Sequence, residues 1–167
     1  MSGWWTVAFV VQWLLLVVLS VVVVALARQV GTLHLRLGPR GALEIDTEGP
    51  AVGEAPPELD ARAADGSTLR VGGPGEARLL LFSSPTCSVC EEVAPGVPAA
   101  AAAAGLQSQI VHDPAAEEAL EVPGTPFVLV MDGLGVVRAK GTVNNLEQIE
   151  GLVDSALRRM QEERWAS

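Results

Sequence analysis

Cysteine is scarce in this chain, histidine equally so, and positive charge is in deficit. With two cysteines in 167 residues there can be no multi-disulfide staple, so an ordinary apolar core must hold the folded part together. Twenty acidic residues against 11 basic ones leave a net charge of -9. No basic stripe survives on that background, which excludes nucleic acid as a partner class. His34 and His112 lie far from the cysteines, so the four-ligand set of a structural zinc site is missing. Glu91 follows Cys90, so the C-x-x-C-H pattern of covalent haem attachment is absent too, and no cofactor is expected. Nothing repeats internally.

Charge is also missing from the N-terminal region. From Trp5 to Ala27 only Thr6, Gln12 and Ser20 are polar. A helix of this length would run about 34 Å, enough to cross a bilayer core. Trp4 and Trp5 suit an aromatic interface belt at one end, and Arg28 closes the other. Ala25-Leu26-Ala27 offers an A-x-A cleavage pattern. Met1-Ser2-Gly3, however, has no Lys or Arg for a signal-peptide n-region, and the apolar run exceeds an h-region of ~7–15 residues. The expectation is a retained single-pass anchor over 4–27 in contact with lipid, after a tail of residues 1–3. Arg28, Arg36 and Arg40 follow the span, and the positive-inside rule read literally puts the large C-terminal part in the cytoplasm.

Val30, Leu33 and Leu37 fall at helical spacing, which extends the anchor helix until Gly38-Pro39-Arg40-Gly41 ends it. Residues 28–51 read as a juxtamembrane segment and linker, and 52–164 as the folded domain. Within the domain, Asp65-Gly66 between Leu59–Arg62 and Thr68–Val71 predicts a β-hairpin. Strands are expected at 77–83, 106–111, 127–131 and 136–140. Helices are expected from Cys87, with Pro95 kinking the first segment, from Pro98 to Ala104, over 114–120, and over 146–160. The order hairpin, β, α, β, α, β, β, α specifies an α/β fold: a mixed central sheet with helices on both faces.

The cysteines form one motif, Cys87-Ser88-Val89-Cys90, directly after the apolar run Leu79-Leu80-Leu81-Phe82. Two intervening residues let a first helical turn bring the sulfurs within bonding distance, so the pair can cycle between dithiol and disulfide. Unpaired N–H groups at the helix start stabilise a thiolate on Cys87, making it the nucleophile and Cys90 the resolving thiol. Thr125-Pro126, just before an apolar strand, is a place where a cis-proline is used, and the Thr125 backbone there could pair with an extended substrate. Glu91 and Glu92 read as solvated charge at a helix start, and His112-Asp113 as loop and cap residues.

These residues resemble a thioredoxin-fold oxidoreductase. Cys87-Ser88-Val89-Cys90 matches the redox motif, Pro95 the proline that kinks the active-site helix, and Thr125-Pro126 the cis-proline loop. Val52-Gly53-Glu54-Ala55-Pro56-Pro57 with Asp65-Gly66 resembles the N-terminal hairpin of membrane-tethered TlpA-like and peroxiredoxin-like branches. A narrower similarity, to the methylamine-utilisation accessory (MauD-like) family, lies in residues 27–34, Gly41-Ala42-Leu43, Ser84-Pro85-Thr86-Cys87 and Arg138-Ala139-Lys140-Gly141. That resemblance implies a membrane-tethered, extracytoplasmic domain supporting disulfide formation or rearrangement in a cysteine-containing client protein. It also allows a membrane-embedded redox partner. It opposes the arginine count, and a large C-terminal domain can translocate regardless of charge.

Four positions depart from the thioredoxin pattern, beginning with Ser88-Val89, which replaces the Gly-Pro spacer of thioredoxins. Thr86 stands where thioredoxins have Trp, and Leu81 where they bury a proton-accepting carboxylate. These departures keep open a non-catalytic assembly subunit, and the hairpin with Pro85-Thr86-Cys87 keeps open a thiol peroxidase, for which Arg78 and Arg70 are the nearest arginines in sequence.

Overall fold

The computed structural model describes residues 3–37 and 48–166, with the side chains of 3–24 and 48–165. The helix end at residues 38–41, most of the linker, and the side chains of 25–37, including His34, lie outside the described residues. The chain separates into two units, divided after Pro39.

The first unit is one helix, α1, over Gly3–Leu37. Its valine-rich sequence would suit a strand in water, but an apolar surround requires every backbone group to be satisfied within the segment, and a helix does this. Residues 3–24 form a stretch long and apolar enough to cross a membrane, with its side chains exposed throughout. The Ser20 hydroxyl donates to the Leu16 carbonyl at 2.8 Å, so this polar group is satisfied inside the helix. Phe9 and Trp13, one turn apart, meet edge to face with centroids 6.1 Å apart.

In the second unit the hairpin strands are β1 (Leu59–Arg62) and β2 (Thr68–Val71), antiparallel, at the residues expected from sequence. Asp65 accepts from both the N–H and the hydroxyl of Ser67, and Gly66 takes φ +84°, which closes the turn. The central strands are β3 (Arg78–Phe82), β4 (Gln107–Val111), β5 (Phe127–Met131) and β6 (Val137–Thr142). They lie in the order β4-β3-β5-β6, with β4 parallel to β3 and the other pairs antiparallel. The mixed sheet expected from the β-α-β and β-β-α units is therefore present.

The apolar runs of β3 and β5 are buried on both faces, so alternate residues serve two cores. Leu79, Leu81, Val128 and Val130 pack with α2 (Ser88–Val93), α3 (Val97–Ala103) and α5 (Leu146–Ala166). Leu80, Phe82, Phe127, Leu129 and Met131 pack with the hairpin and α4 (Pro114–Ala119). Pro95 sits in a single 3-10 turn, Ala94–Gly96, between α2 and α3, where the sequence placed a kink. The all-alanine end of α3 stops at Gly105, whose φ is +69°. Helix α5 runs beyond the expected Met160, because Glu163 pairs with Arg138 on β6 and gives the extra turn a tertiary anchor. One residue is inserted in β6 relative to β5: Val130 faces Ala139 but Met131 faces Val137, leaving Arg138 as the bulge.

Candidate active site

Strand β3 ends at Phe82, and Ser84-Pro85-Thr86 turns the chain into α2. The Ser84 and Thr86 hydroxyls share a hydrogen bond of 3.1 Å, and the Cys87 N–H donates to the Ser84 carbonyl at the same distance. Cys87 is thereby placed as the N-cap of α2, with extended backbone (φ -97°, ψ 107°). Its Sγ accepts the Cys90 N–H at 3.1 Å, as a capping oxygen would. Cys87 and Cys90 form a disulfide with their Cα atoms 5.2 Å apart. Their exposure is unequal: Cys87 is partly exposed, whereas Cys90 is 2 % exposed. An incoming thiolate can therefore reach Cys87 and not its partner.

The Thr125–Pro126 bond is cis, as the sequence expectation had it. The Thr125 carbonyl oxygen lies 3.8 Å from the Cys87 Sγ. Pro126 is buried, and its carbonyl accepts the Val143 N–H at 3.2 Å. Opposed partners Phe82 and Phe127 in the β3–β5 ladder bring the two loops to the same end of the sheet. His112 and Asp113 follow β4 at this end. Asp113 caps α4 by accepting the Ala115 N–H at 3.0 Å, and its other oxygen accepts the Arg62 N–H. That backbone N–H, more than any other group, holds the Asp113 carboxyl below its ordinary range. Glu91 and Glu92 are exposed, as expected.

Leu81 is fully buried in the cluster that contains Val89 and Val93 of α2, so the sheet offers an apolar side chain under the active-site helix. The two arginines named as candidates to support a peroxidatic cysteine lie away from Cys87. Arg78 begins β3, at the opposite end of the sheet, and donates to the Gly72 and Gly73 carbonyls at 2.6 and 2.9 Å. Arg70 lies on the hairpin near Glu58 and Asp60, both at 3.8 Å.

The chain is 32% identical to the methylamine utilization protein MauD of Paracoccus denitrificans over 87% of its length and 86% of the relative's. It is 33% identical to MauD of Methylorubrum extorquens, again over 87% of its length and 83% of the relative's. This chain belongs to the MauD family. No family model matches it. Among solved structures, the one named for thiol:disulfide interchange protein DsbE of Chlorobium tepidum superposes with a TM-score of 0.51 at 17% identity, covering 64% of this chain and 96% of that one. A peroxiredoxin-like protein of Aquifex aeolicus also gives 0.51, at 16% identity, covering 66% and 88%. These likenesses show the thioredoxin fold. This member of the MauD family thus combines a membrane-length apolar helix with a thioredoxin-fold unit carrying a C-x-x-C disulfide.

Proposed function

We propose that this chain is a membrane-anchored thiol-disulfide oxidoreductase, with its folded unit outside the cytoplasm, acting on exported proteins that contain cysteine. The observation that carries the reading is the asymmetric disulfide, with an accessible Cys87 sulfur beside the Thr125 carbonyl and a buried Cys90. In the oxidising direction, a client thiolate attacks Cys87 Sγ. The Cys87–Cys90 bond breaks, and the Cys90 sulfur leaves with the electron pair and takes a proton. A second client thiolate then attacks the client sulfur of the mixed disulfide, and Cys87 leaves as a thiolate held by the Cys90 N–H. The client loses two electrons and two protons; one proton is taken by Cys90, and the other goes to solvent or to Cys87, which leaves the protein reduced. A membrane-embedded oxidant would restore the disulfide.

Thr125 and Pro126 are the client-docking residues in this reading, with the Thr125 backbone pairing to an extended client segment. Pro95 supports the site only through the bend between α2 and α3. Leu81 supports the oxidising or rearranging direction, because the reducing direction would call on a base to deprotonate Cys90 and Leu81 supplies none. The relatives' name points to methylamine utilisation, so the proposed client is a cysteine-rich exported protein of that process. The anchor covers residues 4–27 and the thioredoxin-like domain 52–164.

Two measurements test this. In Cys90→Ser cells the Cys87 thiolate can still attack a client disulfide, with a client thiolate leaving and no second thiol to resolve the product, so a disulfide adduct between Cys87 and a client should accumulate as a reductant-sensitive band. In intact cells, a membrane-impermeant maleimide should label the pair only after a poorly permeant reductant has opened it. Labelling that appears only after lysis would place the site in the cytoplasm, and full complementation by the double Cys→Ser variant would leave an assembly subunit without redox duty.

A further inference from the structure

The chain contains one lysine, Lys140, and ten arginines. That lysine is 1 % exposed, in the middle of β6 opposite Leu129, on the sheet face that carries the hairpin core. A buried ammonium persists only when it is hydrogen-bonded. Lys140 Nζ donates to the Glu48 carbonyl at 2.7 Å and to the Gly49 carbonyl at 3.4 Å. Glu48 is the first described residue of the folded unit.

Gly49 in turn is fixed to the stretch that leads to Thr125. Its N–H donates to the Glu121 carbonyl at 3.0 Å. Its own φ is +70°, and a Cβ there would stand 3.1 Å from the Phe127 ring. Glu121 is the single non-glycine residue of positive φ among the described residues, at 53°. It occupies the position after α4 that glycine normally takes: Glu121 N–H donates to Glu118 and Val122 N–H to Glu117, at 3.1 and 2.9 Å. This left-handed turn directs the Glu121 carbonyl to Gly49. Thr125-Pro126 lies between Glu121, which Gly49 hydrogen-bonds, and Phe127, whose ring leaves little room for a side chain at Gly49.

We propose that Lys140 is a positioning residue for client docking. Its ammonium holds the Glu48–Gly49 backbone on β6, and the Gly49 N–H holds Glu121 beside the Phe127 ring, at the start of the segment that presents the Thr125 carbonyl to Cys87. It touches neither sulfur. It sets how well an extended polypeptide docks and leaves the sulfur chemistry alone. The inference rests on the oxidoreductase reading above.

The test uses the full chain in detergent and two thiol reductants of its disulfide: a synthetic extended peptide with one cysteine, and glutathione, too small to need the docking segment. Lys140→Met keeps the length of the side chain and removes the ammonium. It should raise KM, here the peptide concentration giving half the limiting rate of disulfide reduction, about fivefold or more at an unchanged limiting rate, and leave the glutathione rate and the Cys87–Cys90 potential as in the unsubstituted protein. Lys140→Arg, which retains a cationic donor, should recover part of the peptide KM. Gly49→Ala reaches the same segment from the other side and should give the same split, less than additively with Lys140→Met. It also carries the test if Lys140→Met does not fold. Peptide kinetics unchanged in both variants, or peptide and glutathione slowed equally, would overturn the proposal. An unsubstituted protein that reacts with neither thiol would instead overturn the oxidoreductase reading itself.

Discussion

The two ends of the central sheet are built on different terms. At the end where β5 turns into β6, charged side chains are buried and paired. Arg138 donates to Asp132 through Nε at 2.7 Å and Nη2 at 2.6 Å and also pairs with Glu163, while Arg159 donates to the Arg138 carbonyl. Asp132 also accepts the N–H groups of Leu134 and Val136, closing the turn. At the other end the Cys87 sulfur accepts one N–H, lies beside one carbonyl, and is open to attack. A network with every member bonded fixes one geometry, whereas a reacting sulfur must remain able to exchange partners. Rigidity and reactivity are thus divided between opposite ends of the same strands.

If that division holds, substitutions at the two ends should affect different observables. The largest effect expected is at the sulfur: Cys87→Ser should reduce thiol exchange with a cysteine peptide to background while leaving thermal stability near that of the reduced protein. Arg138→Met should do the reverse. It strands Asp132 as a buried, unpaired carboxylate, a loss of roughly 3 kcal/mol, or about 10 °C in Tm for a domain of this size. Exchange rates measured well below that Tm should stay within about twofold. A large kinetic defect in Arg138→Met would mean that the ends are coupled and the division is false.

Acid gives a finer probe of the paired end. Burial pushes the Asp132 carboxyl up, but the N–H groups of Val136 and Leu134 and the Arg138 guanidinium outweigh it, and the net direction is down. A carboxylate depressed in the folded state contributes stability above its unfolded pKa, about 3.9. That contribution is lost as pH falls through the lower folded value. The unfolding midpoint should therefore be flat near neutrality and fall below about pH 4. Asp132→Asn should lower the plateau and flatten the acid limb, as followed by circular dichroism. An unchanged acid limb would assign the acid sensitivity to other carboxylates.

Local patterns made much of this legible from sequence. The turn at Asp65-Gly66 set both hairpin strands, the apolar runs set β3 and β5, and a strand leading into C-x-x-C before Thr125-Pro126 located the site. The less visible features depend on partners distant in the chain. Nothing around Glu163 signals that α5 continues past Met160, because its partner Arg138 is 25 residues away and is aimed by a bulge. Lys140 in sequence is one charged residue at the end of a strand, and its acceptors lie about 90 residues earlier. Gly49-Pro50 reads as linker by composition, yet the Gly49 carbonyl accepts from Lys140 on β6. A lone lysine in a chain that otherwise uses arginine was the available signal, and composition alone does not say which carbonyls it meets.

The smallest expected effect tests whether the reactive end also contains purely structural parts. Asp113 caps α4 beside the site, and its second oxygen fastens β1 through the Arg62 N–H. Replacing it with alanine removes both bonds, and an N-cap of this kind contributes about 1 kcal/mol. Asp113→Ala should therefore shift the denaturation midpoint slightly. Like Asp132, this depressed carboxylate stabilises the fold above the ordinary carboxylate range, so the difference between variant and unsubstituted protein should shrink as pH falls. Adduct formation in the Cys90→Ser background should be unchanged, since neither bond reaches Cys87 or Thr125. A slowed adduct with an unaltered midpoint would make Asp113 part of client docking and move the boundary between the two kinds of construction to within the reactive end itself.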